Sequence, residues 1–263
     1  MKHPSSFRLR PGKLPVLAGL LLLGALPLRG NEPETQEATP APAATSTTAT
    51  AAEPTPADPK REALREILAR FSAAFDSRDF ARAAEVLAEA EKLAPDDPIV
   101  RTARAGIYAE SGEIGKAREI YLTLVKEEAD PFVPRYNLAE LYFLEKEYAK
   151  GREAFRELLK DYPASDLVRF KIVLSHIAEK DPAAAREAMA PLQRATPTAF
   201  ALYAAAALAL DQGQIRQGKE MILAAERFFG PGQQKLLYDS LAELGLVMRG
   251  DYPPGAAQST AQP

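Results

Sequence analysis

Residues 136–163 read YNLAELYFLEKEYAKGREAFRELLKDYP. At 100° per residue, Leu138, Leu141 and Tyr142 share one face of a helix, while Tyr136 and Phe143 lie roughly opposite. Glu145-Lys146-Glu147 interrupts that helix. A second apolar run follows, built on Gly151, Phe155 and Leu158, and Pro163 closes it. The same layout recurs on both sides. The small residues Ala83, Ala117, Gly151, Ala185 and Gly218 stand at three intervals of 34 and a last one of 33. Four positions after each comes a larger apolar residue: Leu87, Tyr121, Phe155, Met189 and Ile222. Three further on stand Ala90, Leu124, Leu158, Leu192 and Ala225. Several residue types keeping one period mark a repeat architecture.

The punctuation keeps the same beat. Turn signals fall at Ser77-Arg78-Asp79, Ser111-Gly112-Glu113, Glu145-Lys146-Glu147, Lys180-Asp181-Pro182 and Gln212-Gly213-Gln214. Each unit is then closed at Pro95, Asp130-Pro131, Pro163, Pro197 or Gly230-Pro231. Pro182 suits the first turn of a helix, where its missing N–H leaves nothing unpaired. The pattern predicts an all-α solenoid of five helix pairs over units 64–97, 98–131, 132–165, 166–198 and 199–232. A capping helix over 233–248 follows, with Leu236, Leu237, Leu241, Leu244 and Val247 along one side. No unit of this kind buries its face alone, so stability accumulates over neighbouring contacts.

On Leu138, Ala139, Tyr142, Tyr148, Gly151, Phe155, Leu158 and Pro163, together with the period, the chain resembles the tetratricopeptide repeat (TPR) family over residues 64–232. Two units depart from the family pattern. Pro182 replaces the usual aromatic in the fourth, and Arg70 and Phe71 replace a large apolar and a small residue in the first. The resemblance implies a right-handed superhelix whose first helices line a concave groove for extended or helical peptides.

The ends read differently. Residues 1–30 carry Lys2, Arg8, Arg10, Lys13 and Arg29 with no acid, ahead of and around the apolar run LPVLAGLLLLGALPL at 14–28. A short apolar core behind a basic stretch is a secretory signal, with cleavage expected after Gly30 and an uncleaved inner-membrane anchor as the alternative. Export to the periplasm or cell envelope is therefore expected. Residues 31–59 hold no aromatic and no Leu, Ile or Val, and ATPAPAATSTTATAAEPTPADP at 38–59 reads as a disordered, Pro-stiffened linker. Residues 249–263 read as a disordered tail. With the five N-terminal bases set aside, 28 basic and 36 acidic residues leave −8 over 31–263, which disfavours a nucleic-acid partner. There is no cysteine, and the two histidines, His3 and His176, are far apart. Neither a metal site nor a cofactor is expected, and no nucleophile or acid–base constellation marks an enzyme. His176 reads as a packed histidine.

Function is expected on the second apolar stripe of the first helices. Tyr136, Phe170 and Tyr203 stand one repeat apart, as do Phe143, Ile177 and Leu210, with Leu174 between the rungs of the fourth unit. The resemblance makes this stripe the groove wall, with Asn137, Glu140 and Lys171 as polar contacts and Asn137 at a position that bonds ligand backbone. The groove residues are thus Tyr136, Asn137, Glu140, Phe143, Phe170, Lys171, Leu174 and Tyr203. Internal packing, between adjacent helices or under the C-terminal helix, is the competing placement. Two functions correspond: a non-catalytic envelope adaptor binding a protein or peptide through the groove, or a structural subunit whose apolar face is permanently buried in a complex or homo-oligomer.

Overall fold

In a computed structural model, residues 58–127, 130–229 and 234–248 are described. The expected signal, all but the end of the linker, and the tail lie outside them. Among the described residues there are eleven α-helices and no strand: α1 (Pro59–Asp76), α2 (Phe80–Leu93), α3 (Pro98–Glu110), α4 (Ile114–Glu127), α5 (Phe132–Leu144), α6 (Tyr148–Asp161), α7 (Asp166–Ala178), α8 (Pro182–Met189), α9 (Ala199–Asp211), α10 (Ile215–Phe229) and α11 (Gln234–Glu243). Consecutive helices pair as α1–α2 through α9–α10, an all-α solenoid with one further helix at its C-terminal end.

The local chemistry explains the boundaries. Asp58 accepts from the Lys60 N–H, so α1 starts at Pro59, inside the stretch expected to be linker. Asp79, Asp97, Ser165, Asp181 and Thr198 cap α2, α3, α7, α8 and α9 in the same way, each meeting an N–H that has no partner within the helix. Every turn within a pair is the same motif. Arg78, Gly112, Lys146, Lys180 and Gly213 all have positive φ, one repeat apart. In each, the next residue's N–H returns to a carbonyl five residues back: Asp79 to Ala74, Glu113 to Tyr108, Glu147 to Tyr142, Asp181 to His176 and Gln214 to Ala209. This is the Schellman closure, which satisfies carbonyls at the helix end.

The repeat markers form the core. Ala83, Ala117, Gly151, Ala185 and Gly218 are buried, as are the large residues four positions later. A Cβ on Gly151 would sit 3.0 Å from the Phe143 ring and 3.3 Å from the Ala139 carbonyl oxygen. On Gly218 it would lie 2.5 Å from Leu210 Cγ. These glycines therefore set the closest approach of the second helix to the first. Ion pairs also repeat in register: Arg101–Glu127 and Arg135–Asp161 join the two helices of one unit, and Arg118–Glu145 and Arg152–Glu179 join neighbouring units. The fourth unit is the irregular one. Pro182 begins α8, which runs eight residues and then tightens into a 3₁₀ turn over Ala190–Leu192, with Pro191 inside that turn.

Candidate partner-binding face

The rungs of the expected ladder lie on α5, α7 and α9. Tyr136, Phe143, Phe170, Leu174, Ile177, Tyr203 and Leu210 are all buried, and so are Asn137, Glu140 and Lys171. None of the eight expected groove residues is exposed, which is the internal placement among the two expected. Two sets of neighbours cover them. The first is the partner helix of the same unit. Phe155 packs 5.4 Å from Tyr136 and 5.8 Å from Phe143, centroid to centroid, and Tyr148 stands edge-on to Phe143 at 5.3 Å. The Tyr203 hydroxyl donates to Glu226 on α10.

The second cover is α11. Leu237 through Leu241 are consecutive residues, of which Leu237, Tyr238, Asp239, Ser240 and Leu241 are all buried; this is more than a full turn, so the middle of α11 has no solvent face. Its side chains reach widely separated helices. The Gln234 amide donates to the Ala225 carbonyl of α10 at 2.8 Å. Lys171 Nζ donates to Ser240 Oγ at 3.4 Å and stands 3.8 Å from Glu243. Glu243 also acts electrostatically on Tyr136 of α5 and Tyr148 of α6. Lys235 and Asp239 act on Asp76, at the end of α1. Contacts to units four and five, on α7, α9 and α10, seat α11 against the end of the array, and its charges act across to units one and three.

At the centre of this face is a dry polar cluster. Lys171 Nζ pairs with Glu140 Oε2 at 2.7 Å and lies 5.2 Å from the Phe143 ring. Burial pushes the Glu140 carboxyl up from its ordinary range, with Lys171 pulling the other way. For Lys171, burial opposes the ammonium, but Glu140 and Glu243 outweigh it and raise the amine above its usual value. Glu140 Oε1 and Gln234 Oε1 have no hydrogen-bond partner, while Glu140 Oε2 has the Lys171 ion pair. The Tyr121 hydroxyl and the Asn137 carboxamide are each other's neighbours, with no hydrogen bond between them in well-aligned geometry. Buried groups left this way are uncommon in native folds.

His176 is half-buried at the end of α7, its pKa lowered by burial and by Arg152 and Arg156. Gln234, Asp239, Ser240 and Glu243 are additions to the expected site. Their signal was in the sequence: Leu236, Leu237, Tyr238, Leu241, Leu244 and Val247 spread over more than half of a helix circumference, too wide for a cap with a polar outer side. No described helix is long and apolar enough to cross a membrane.

Residues 68–134 match the family described as tetratricopeptide repeat. A comparison with curated proteins gave no match. Among solved structures, a thermophilic TPR protein of Thermus thermophilus is similar at 16% identity and a TM-score of 0.53, over 70% of this chain and 98% of that one. Pseudomonas aeruginosa pilF is 17% identical at a TM-score of 0.46, over 75% of this chain and 95% of that one. A tetratricopeptide repeat protein from Parabacteroides merdae is 17% identical at 0.39, over 70% and 72%. The Thermus likeness shows the fold alone. The family match covers residues 68–134, and the same turn and marker positions carry on through the later units, so the chain has the fold of a tetratricopeptide repeat solenoid.

Proposed function

We propose that the chain is a non-catalytic adaptor of the cell envelope, which takes a protein or peptide partner on the face formed by α5, α7 and α9. The single observation that carries this reading is α11 itself: a helical segment is already seated there, against an aromatic ladder with a charged centre. Export rests on the basic N-terminal stretch and the short apolar run at 14–28. A photo-crosslinking residue at Tyr148, half-buried beside Glu243, tests the face in cells, with exposed Leu122 on α4 as the control position. Adducts from position 148 in the envelope fraction support the reading; adducts from 122 alone move the partner to the outer surface. The alternative, a structural subunit of a complex or homo-oligomer, draws on Phe228 and Phe229, 74% and 47% exposed at the end of α10. Sedimentation of the protein alone, with and without Phe228→Ser, separates that reading from the first.

A further inference from the structure

We infer that the outer face of α10 is a peripheral membrane-docking surface, which lays its exposed apolar side chains into the headgroup layer of an anionic bilayer. The inference concerns the outer layer of the solenoid and does not depend on the adaptor reading of α5, α7 and α9.

Three observations bear it. The first is apolar exposure. Among the described residues seven large hydrophobic side chains are exposed, and four of them, Ile215, Leu223, Phe228 and Phe229, stand on α10. The second is charge. The other second helices, α2, α4, α6 and α8, each expose as many basic as acidic side chains; on α4 these are Lys116 and Lys126 with Glu119 and Glu127. α10 exposes Arg216, Lys219 and Arg227 against Glu220 alone, in a chain that is −8 over residues 31–263. In two inner units the basic residue after the small marker is committed to the next unit, as in Arg118–Glu145 and Arg152–Glu179. Lys219 holds that position in the fifth unit, where no further pair follows, and it is exposed. The third is arrangement. At 100° per residue Arg216, Leu223 and Arg227 fall within about 40° of one another, turned away from the buried Gly218, Ile222 and Ala225, and Phe228 and Phe229 end the helix. Apolar side chains set among lysine and arginine mark a helix that lies in the membrane interface, with its rings at the acyl boundary and its cations at lipid phosphates. No described helix can cross a bilayer, so the contact is peripheral. A second copy is a poorer occupant, because a two-fold contact through this face sets the same three cations against each other.

The chain has no cysteine, so Gln217→Cys in the full chain carries one environment-sensitive fluorophore on α10, and Leu122→Cys on α4 carries the control. Vesicles of phosphatidylcholine and phosphatidylglycerol in equal parts are expected to blue-shift the probe at 217 and not at 122, with the shift weakened by salt. Reading two positions separates docking by α10 from capture of the chain by its apolar run at 14–28. Phe228→Ser/Phe229→Ser is expected to weaken partition at least about tenfold. Arg216→Gln/Lys219→Gln/Arg227→Gln is expected to remove the preference for phosphatidylglycerol. All of these side chains are exposed, so both variants should keep the parental thermal melt. No shift at 217, an equal shift at both positions, or an equal shift with phosphatidylcholine alone overturns the inference. A shift that grows with protein concentration without vesicles assigns the face to a second copy and overturns it. A shift produced by polyglutamate but not by vesicles assigns the face to an acidic protein and overturns it as well.

Discussion

The ammonium of Lys171 lies 2.7 Å from the carboxylate of Glu140, and neither side chain retains any solvent-accessible surface. Removing one member leaves the other as an uncompensated buried charge. Lys171→Met or Glu140→Met should each lower stability by about 3–5 kcal/mol. Lys171→Met combined with Glu140→Met removes both charges and restores an apolar contact, so it should lie within about 1–2 kcal/mol of wild type. Urea unfolding of the four proteins checks this. A double variant as unstable as the sum of the singles would show that the two residues act independently.

Alkaline pH should unfold the protein through its buried tyrosines. Burial raises Tyr121 and Tyr136 well above the ordinary phenol range. In the unfolded chain these phenols ionise near pH 10, roughly, so above that pH the unfolded state binds fewer protons than the native state. Stability therefore falls as pH rises beyond that value. Lys171, raised above the usual lysine range, adds in the same direction: its contribution is present below its unfolded pKa and is lost as pH climbs through the folded one. Tyr121→Phe should flatten the alkaline limb and, because its hydroxyl has only a poorly aligned partner in Asn137, change neutral-pH stability by less than about 1 kcal/mol. Tyrosinate absorbance followed together with helicity tests this; ionisation of all tyrosines before any loss of helix would contradict it.

The glycines of the chain should respond in opposite directions to one added methyl group. Gly218→Ala drives a Cβ to 2.5 Å from Leu210 Cγ and should cost about 1–3 kcal/mol through overpacking. Gly151→Leu should be at least as damaging, against Phe143 and the Ala139 carbonyl. Gly115→Ala, with nothing within 4 Å, should stabilise α4 by about 0.5–1 kcal/mol. Thermal melts of the three variants give the ranking directly.

Lys146 and Lys180 hold left-handed backbone, φ 59° and 61°, as Arg78 does in the first unit, at positions where Gly112 and Gly213 serve the second and fifth. Lys146→Gly should relieve the Cβ clash and stabilise by about 1 kcal/mol, with the turn's hydrogen bonds kept. Lys146→Ala should bring no such gain. Hydrogen exchange at the Glu147 amide reports whether the closure survives.

What was legible in the sequence follows from which signals are periodic. Ala83, Gly151 and Phe155 stand in register because each unit repeats one packing problem, so the helix pairs, their turns and their core positions could be read directly. The ladder of Tyr136, Phe170 and Tyr203 was equally visible, but its exposure was not. A stripe that faces a groove and one that faces another helix have the same composition. The element that decides between them, α11, occurs once, stands outside the period, reaches Lys171 and acts electrostatically as far as Asp76. The register gives no bearing on contacts of that sequence separation. The short α8 is different: Pro182 announced an irregular unit, and the break at Pro191 lay in plain sight among the helix formers.

The seat of α11 also bears on how the chain reaches its native state. In a simple stack each unit meets only its neighbours, and folding spreads step by step along the array. Here the final helix binds surfaces that come together only when units four and five are stacked, and its charges act on Asp76 at the end of α1 as well. It is also the last of the described helices to leave the ribosome, so its docking closes assembly rather than starting it. The Lys171–Ser240 and Lys171–Glu243 contacts span about seventy residues and slow that last step, because distant segments must meet before the contact rewards them. Once made, they tie the end of the chain back to the fourth unit, so that locally stable parts gain cooperativity beyond their nearest neighbours.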